Sequence, residues 1–143
     1  SSAASDVYKR QNIMRTFDNQ NWITNNGCVY NDTILKIESY FHCTLPNDYV
    51  NFMRWSNGGE GEVSGNYIVL WKMEYIVTLN SEYNIRKYLG SDFIAIGTDG
   101  GDVVYCLNIS DNFSIFKCPL GDLDIESCSY ITESFKRFMG IEN

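Results

Sequence analysis

The residues of this chain whose types and spacing could do chemistry are few, and each has a plainer reading. The run Gly97-Thr-Asp-Gly-Gly-Asp102 comes first. As a phosphate cradle it lacks the Gly-x-Gly-x-x-Gly order, and the segment after it reads as a strand, not as a helix N-terminus. As a calcium loop it offers Asp99 and Asp102 without the alternating carboxylates and distal glutamate of an EF-hand. A hairpin turn with positive φ at Gly100 and Gly101 accounts for the same residues. His42 beside Cys43 is a thiol–imidazole neighbour pair, but adjacent residues on a helix do not face each other. A histidine at a helix C-terminus, favoured there by the dipole when charged, is the simpler reading. Glu60 with Glu62 and Asp122 with Asp124 sit in apparent loops. Paired carboxylates do acid–base work only where a cleft drives their pKa values apart, so solvated loop charge is the default.

The cysteines are Cys28, Cys43, Cys106, Cys118 and Cys128, with no C-x-x-C spacing. His42 is the only histidine, so a Cys/His zinc site is not expected. Scattered cysteines of odd number, with no leader peptide, read as buried thiols in a reducing cytoplasm. No apolar run approaches the ~20 residues needed to span a bilayer, so no membrane partner is expected. The sequons at Asn31, Asn108 and Asn112 carry meaning only in a secreted protein.

The string Ser1-Ser-Ala-Ala-Ser-Asp-Val-Tyr-Lys-Arg-Gln11 resembles the in-frame translation of a sequencing-library adapter. It is set aside as a non-native tail, residues 1–11, before a single domain over 12–143. Setting aside Lys9, Arg10 and Asp6 from 11 basic and 18 acidic residues leaves 9 and 17, a formal charge of −8. Such an acidic domain does not suit nucleic acid, which needs clustered Lys and Arg. It would attract a basic partner, although solubility alone also accounts for the charge.

The elements that must position these residues follow from periodicity. Trp22 and Ile23 are the expected anchors of a polar N-terminal stretch. Asp32 or Thr33 caps a helix over 34–41, with Ile34, Ile37 and Phe41 on one face. Pro46 opens a second helix, with Tyr49, Phe52 and Met53 as its apolar stripe and Trp55 packing under the following loop. Asn57-Gly58-Gly59 stops that helix in a left-handed cap. Residues 60–66 read as a polar loop and 67–72 as a buried strand. Short helices are expected over 73–79 and 82–88. A meander of strands follows over 93–96, 103–109 and 113–117. Pro119 and Gly121 break the meander before a terminal helix over 130–139. The order predicts an α+β domain with helices packed on a mainly antiparallel sheet.

The ordered set I-x-x-[IL]-E, L-P-x-D-Y-x-x-F, N-G-G and I-G-x-D-G-G-D-x-x-Y-x-L resembles the SUKH superfamily, the SMI/KNR-type domain. It is carried here by Ile34 to Glu38, by Leu45, Pro46, Tyr49 and Phe52, by Asn57, Gly58 and Gly59, and by Gly97, Asp99, Gly100, Gly101, Asp102 and Tyr105. The resemblance spans about residues 33 to 139, and 12–32 has no counterpart in it. It implies an α+β fold, no catalytic residues and no cofactor, with the motif residues shaping the fold. It also implies a cytoplasmic bacterial immunity protein that binds a cognate toxin, often a nuclease. The alternative is a regulatory protein-interaction module without a toxin partner. On this reading the exposed loop acids Glu60, Glu62, Asp99 and Asp102 are the candidate contacts to a basic toxin domain.

Overall fold

A computed structural model describes Phe17 and residues 21–141, so the 1–11 tail lies outside the described residues. The strands are β1 (Trp22–Thr24), β2 (Gly59–Val63), β3 (Asn66–Leu70), β4 (Phe93–Thr98), β5 (Val103–Asn108), β6 (Ser114–Pro119) and β7 (Ser129–Thr132). They form one sheet in chain order, with every neighbouring pair antiparallel. The helices are α1 (Asn31–Phe41), α2 (Asn47–Trp55), α3 (Ile76–Glu82), α4 (Ile85–Leu89) and α5 (Phe135–Phe138). This is the expected α+β domain. No helix among the described residues is long and apolar enough to cross a membrane.

Side chains alternate across the strands and sort into two clusters. The inner face carries Ile68, Leu70, Ile94, Ile96, Tyr105, Leu107 and Ile115, packed with Ile34, Ile37 and Phe41 of α1, Tyr49, Phe52 and Met53 of α2, and Phe135 and Phe138 of α5. Phe52 lies at its centre, edge-on to Phe17, Trp22, Trp55 and Phe135 at ring separations of 5.4, 5.7, 5.2 and 5.5 Å. The outer face carries Phe93, Ala95, Val104, Cys106 and Cys118, covered by Ile85 and Leu89 and by Leu120 and Leu123 of the β6–β7 connection.

Several local expectations change. Helix α1 begins at Asn31 with Tyr30 at the N-cap and no side-chain cap, so Asp32 serves the dipole from within the first turn. Helix α2 starts after Pro46 as expected but ends at Ser56, whose backbone is extended, so the two glycines do not cap it. The Ser56 hydroxyl takes an N–H from Trp22 Nε1 at 3.2 Å and donates to Gly58 O at 2.6 Å, which fixes the exit. Gly58, at φ 82°, then turns the chain into β2.

The expected loop over 60–66 is strand β2 and the turn into β3. Strand β1 crosses so near that a Cβ on Gly61 would lie 2.1 Å from Asn21 O, which explains a glycine in a strand. Trp22 is buried as expected, but Ile23 points outward and is 66% exposed. The expected helix over 130–139 is β7 followed by only Phe135–Phe138, because Tyr130 pairs with Phe116 across the sheet. Gly100 has the expected positive φ, and Gly101 does not.

The cysteines also depart from the expectation of five buried thiols. Cys118 and Cys128 form a disulfide one step beyond the Lys117↔Ser129 pair, tying the β6–β7 connection across the outer face. Cys28 is exposed, Cys43 half-buried and Cys106 buried.

Tyr49 is 1% exposed and its hydroxyl has no hydrogen-bond partner among the described residues. Burial raises its pKa. A phenol whose folded pKa lies above its unfolded value of about 10 leaves stability unchanged at lower pH and erodes it as pH rises above that value. Tyr49→Phe is therefore expected to be stabilising by about 1 kcal/mol at pH 7, because it removes an unsatisfied buried hydroxyl. It should also flatten the decline in urea midpoint above pH 10. A variant less stable than the parent at pH 7, with the same alkaline decline, would show that the hydroxyl is satisfied.

Candidate functional site

The outer face is covered over β4 to β6 and open over β1 to β3. Three side chains follow one another across the open part in register, Ile23, Glu60 and Val69, and the next pair along is Glu62 with Tyr67. Residues 59–63 alternate so that Gly61 and Val63 are buried while Glu62 is exposed and Glu60 half-exposed. The two acids thus point the same way because they stand two positions apart on one strand. Tyr67, 43% exposed, donates its phenol to Glu60 Oε2. That hydrogen bond is the first cause raising the phenol's pKa, followed by desolvation and the Glu60 charge.

The β4–β5 turn stands beside this patch. A Cβ on Gly100 would lie 3.7 Å from Tyr67 Cδ2 and 3.8 Å from Val69 Cγ2. Asp99 Oδ1 accepts the backbone N–H of Gly101 at 2.9 Å and of Val103 at 3.1 Å, so much of this carboxylate shapes the turn. Asp102 is exposed, and its carbonyl accepts from Leu120 N at 2.7 Å, which ties that end of the turn to β6. Glu60 and Glu62 therefore share a face with Tyr67, and the turn bearing Asp99 and Asp102 borders it. Of the expected loop acids, Glu60 and Glu62 are strand residues and Asp99 is partly consumed by local hydrogen bonds.

Sequence reasoning missed Tyr67 and Ile23 as surface groups. The alternation Gly59-Glu-Gly-Glu-Val63 was the available signal for β2, hidden by glycine's poor fit to strands. The motif residues behave as framework. Leu45, Tyr49, Phe52 and Tyr105 are in the core, and half-buried Trp55 packs on Phe17 and Phe52. Asn57 is buried; its Oδ1 accepts Met73 N at 2.9 Å and its Nδ2 donates to Glu74 at 2.7 Å.

The chemistry weighed in the sequence has little support in the geometry. Burial, then the Glu38 charge, raises the Cys43 pKa, which disfavours the thiolate, and burial does the same at Cys106. His42 is exposed in a left-handed C-cap. Asp122 accepts from Ser127 Oγ at 2.9 Å, and Asp124 accepts from Glu126 N. Among the described residues no three His, Cys, Asp or Glu side chains are grouped to hold a metal.

The open, acid- and aromatic-bearing face is suited to contact with another macromolecule. A comparison with curated proteins gives no significant match. The family model described as SMI1 / KNR4 family (SUKH-1) matches residues 29–140, from the end of the β1 connection to the close of α5. The chain belongs to the SMI1 / KNR4 family (SUKH-1).

Proposed function

We propose that this protein is an immunity protein that binds and neutralises a cognate toxin domain, in the class of basic nucleases. The open outer face over β1 to β3 carries the reading, since it sets Glu60 and Glu62 beside exposed Ile23 and Tyr67. Family membership and the acidic balance of the chain support it. A nuclease cleft is basic because it must hold phosphates. An acidic face with an aromatic and aliphatic centre can enter that cleft and exclude substrate. The carboxylates steer the encounter, and the apolar groups hold the complex once water is expelled.

The test is co-expression with the toxin domain encoded beside the gene, followed by purification and stopped-flow association. The expected outcome is a stable complex and loss of toxicity. Glu60→Lys with Glu62→Lys should slow association by about 10-fold or more at low salt and flatten its salt dependence. Persisting toxicity without a complex would sink the immunity reading. A complex indifferent to the charge reversal would move the interface elsewhere.

A further inference from the structure

A cleft of about 290 Å³ opens on the helix side of the sheet, where α5 ends and the inner face is no longer covered. Tyr105 of β5, Lys117 of β6 and Ile131 of β7 line it with Phe138 of α5 and Asp99 of the β4–β5 turn. Phe138 packs on the Tyr105 ring at 4.9 Å, so one wall is rigid and apolar. Lys117 and Asp99 bring opposite charges to the same recess, yet no ion pair joins them. Asp99 Oδ1 is occupied by two backbone N–H groups, which leaves Oδ2 as the acceptor not used by the turn. The Tyr105 hydroxyl makes only a long contact, 3.5 Å, to Tyr67 O. Desolvation first, and then Asp99, favour its neutral form, which can still donate.

A cation, an anion, a weakly engaged hydroxyl and an aromatic wall around a space of this size suit a ligand with both charges and a short apolar body. The geometry points to a binding site for a small zwitterion, an α-amino acid with an apolar side chain. Its carboxylate meets Lys117 Nζ and the Tyr105 hydroxyl, its ammonium meets Asp99, and its side chain lies against Phe138 and Ile131. Tyr67 also lines this cleft, so it adjoins the outer face across the edge of β3 and the β4–β5 turn, but the site does not rest on the toxin reading. A half-open cleft holding about a dozen ligand atoms implies a dissociation constant on the order of 1 mM.

The full chain, labelled with nitrogen-15, is titrated with L-phenylalanine, with phenethylamine and with phenylacetate. Saturable amide shifts at Tyr105, Lys117, Ile131 and Phe138 are expected for L-phenylalanine, with each half-charged analogue at least about 10-fold weaker. Lys117→Met, a change at an exposed position, should weaken L-phenylalanine by a similar factor and leave the spectrum elsewhere unchanged. Shifts that do not saturate, equal binding of either analogue, or an unaffected Lys117→Met variant would each overturn the site. Because the analogue series uses the parent chain, it decides the matter even if the variant is perturbed.

Discussion

Asn80→Ala is expected to lower the unfolding free energy by about 2–5 kcal/mol, the full cost of two orphaned backbone groups. Strand β3 pairs with β4 only at Val69↔Thr98 and Leu70↔Gly97, with one more bond from Trp71 N to Ile96 O. Beyond that point the edge of β4 at Ala95 has no strand beside it. Asn80, 2% exposed on α3, takes the missing strand's place. Its Oδ1 accepts Ala95 N at 2.8 Å, and its Nδ2 donates to Ala95 O at 2.9 Å and to Ile76 O at 2.8 Å. Only a primary amide offers a donor and an acceptor at that spacing. Alanine leaves the Ala95 N–H and C=O buried and unmet, where water cannot replace the lost partner. Urea denaturation measures the loss, and amide exchange at Ala95 should rise with it. A loss below about 1 kcal/mol would mean that α3 can shift to let water reach the edge.

Gly97→Ala is expected to cost about 3 kcal/mol and to lower Tm by roughly 10 °C. A Cβ there would lie 2.2 Å from Val69 O and 3.1 Å from Leu70 Cα. Both are backbone atoms of the strand paired to Gly97, so no rotamer change relieves the overlap. The strands must part, and the β3–β4 ladder is too short to absorb it. Gly97 lies outside the positive-φ region, so backbone torsion plays no part. Gly101→Ala is the matched control. The nearest atom to its Cβ would be Asp99 Oδ1 at 3.7 Å, and the effect should stay within about 0.5 kcal/mol. Equal losses at the two glycines would show that turn flexibility, not strand contact, sets the requirement at Gly97.

These two residues mark how far the sequence could be read. Gly97 belongs to a run recognisable from its glycines and acids, and the turn there was legible because local chain conformation demands those residue types. Its tight contact with Val69 was not legible, since 28 positions separate the two residues along the chain. Asn80 carried no signal at all, because an amide between the two short helices expected there looks like a solvent-facing linker residue. The sequence predicts Glu60 and Glu62 as exposed loop acids, whereas they stand on β2, Glu62 exposed and Glu60 half-exposed. Glycine at 59 and 61 suggests a loop, and β1, which makes the strand possible, begins 37 residues earlier at Trp22. The periodicity predicts a longer terminal helix than α5, because Tyr130 and Ile131 fit a helical stripe as well as a strand. Pairing with β6 settled that ambiguity.

By itself the sequence determined the α+β class, the opening of α2 at Pro46, the inward stripe of Tyr49, Phe52 and Met53, the β4–β5 turn and the family. Each of these is written in residues near one another along the chain, where torsional preference and hydrophobic period act directly. Tertiary structure alone decided which sheet face stays open beside Glu60, Glu62 and Tyr67, and that Cys118 meets Cys128. It also decided that Asn80 closes the edge of β4 and that Lys117 and Asp99 share a cleft. Those are contacts between distant segments, set by how helices and strands of particular lengths cover one another, and no local pattern encodes them.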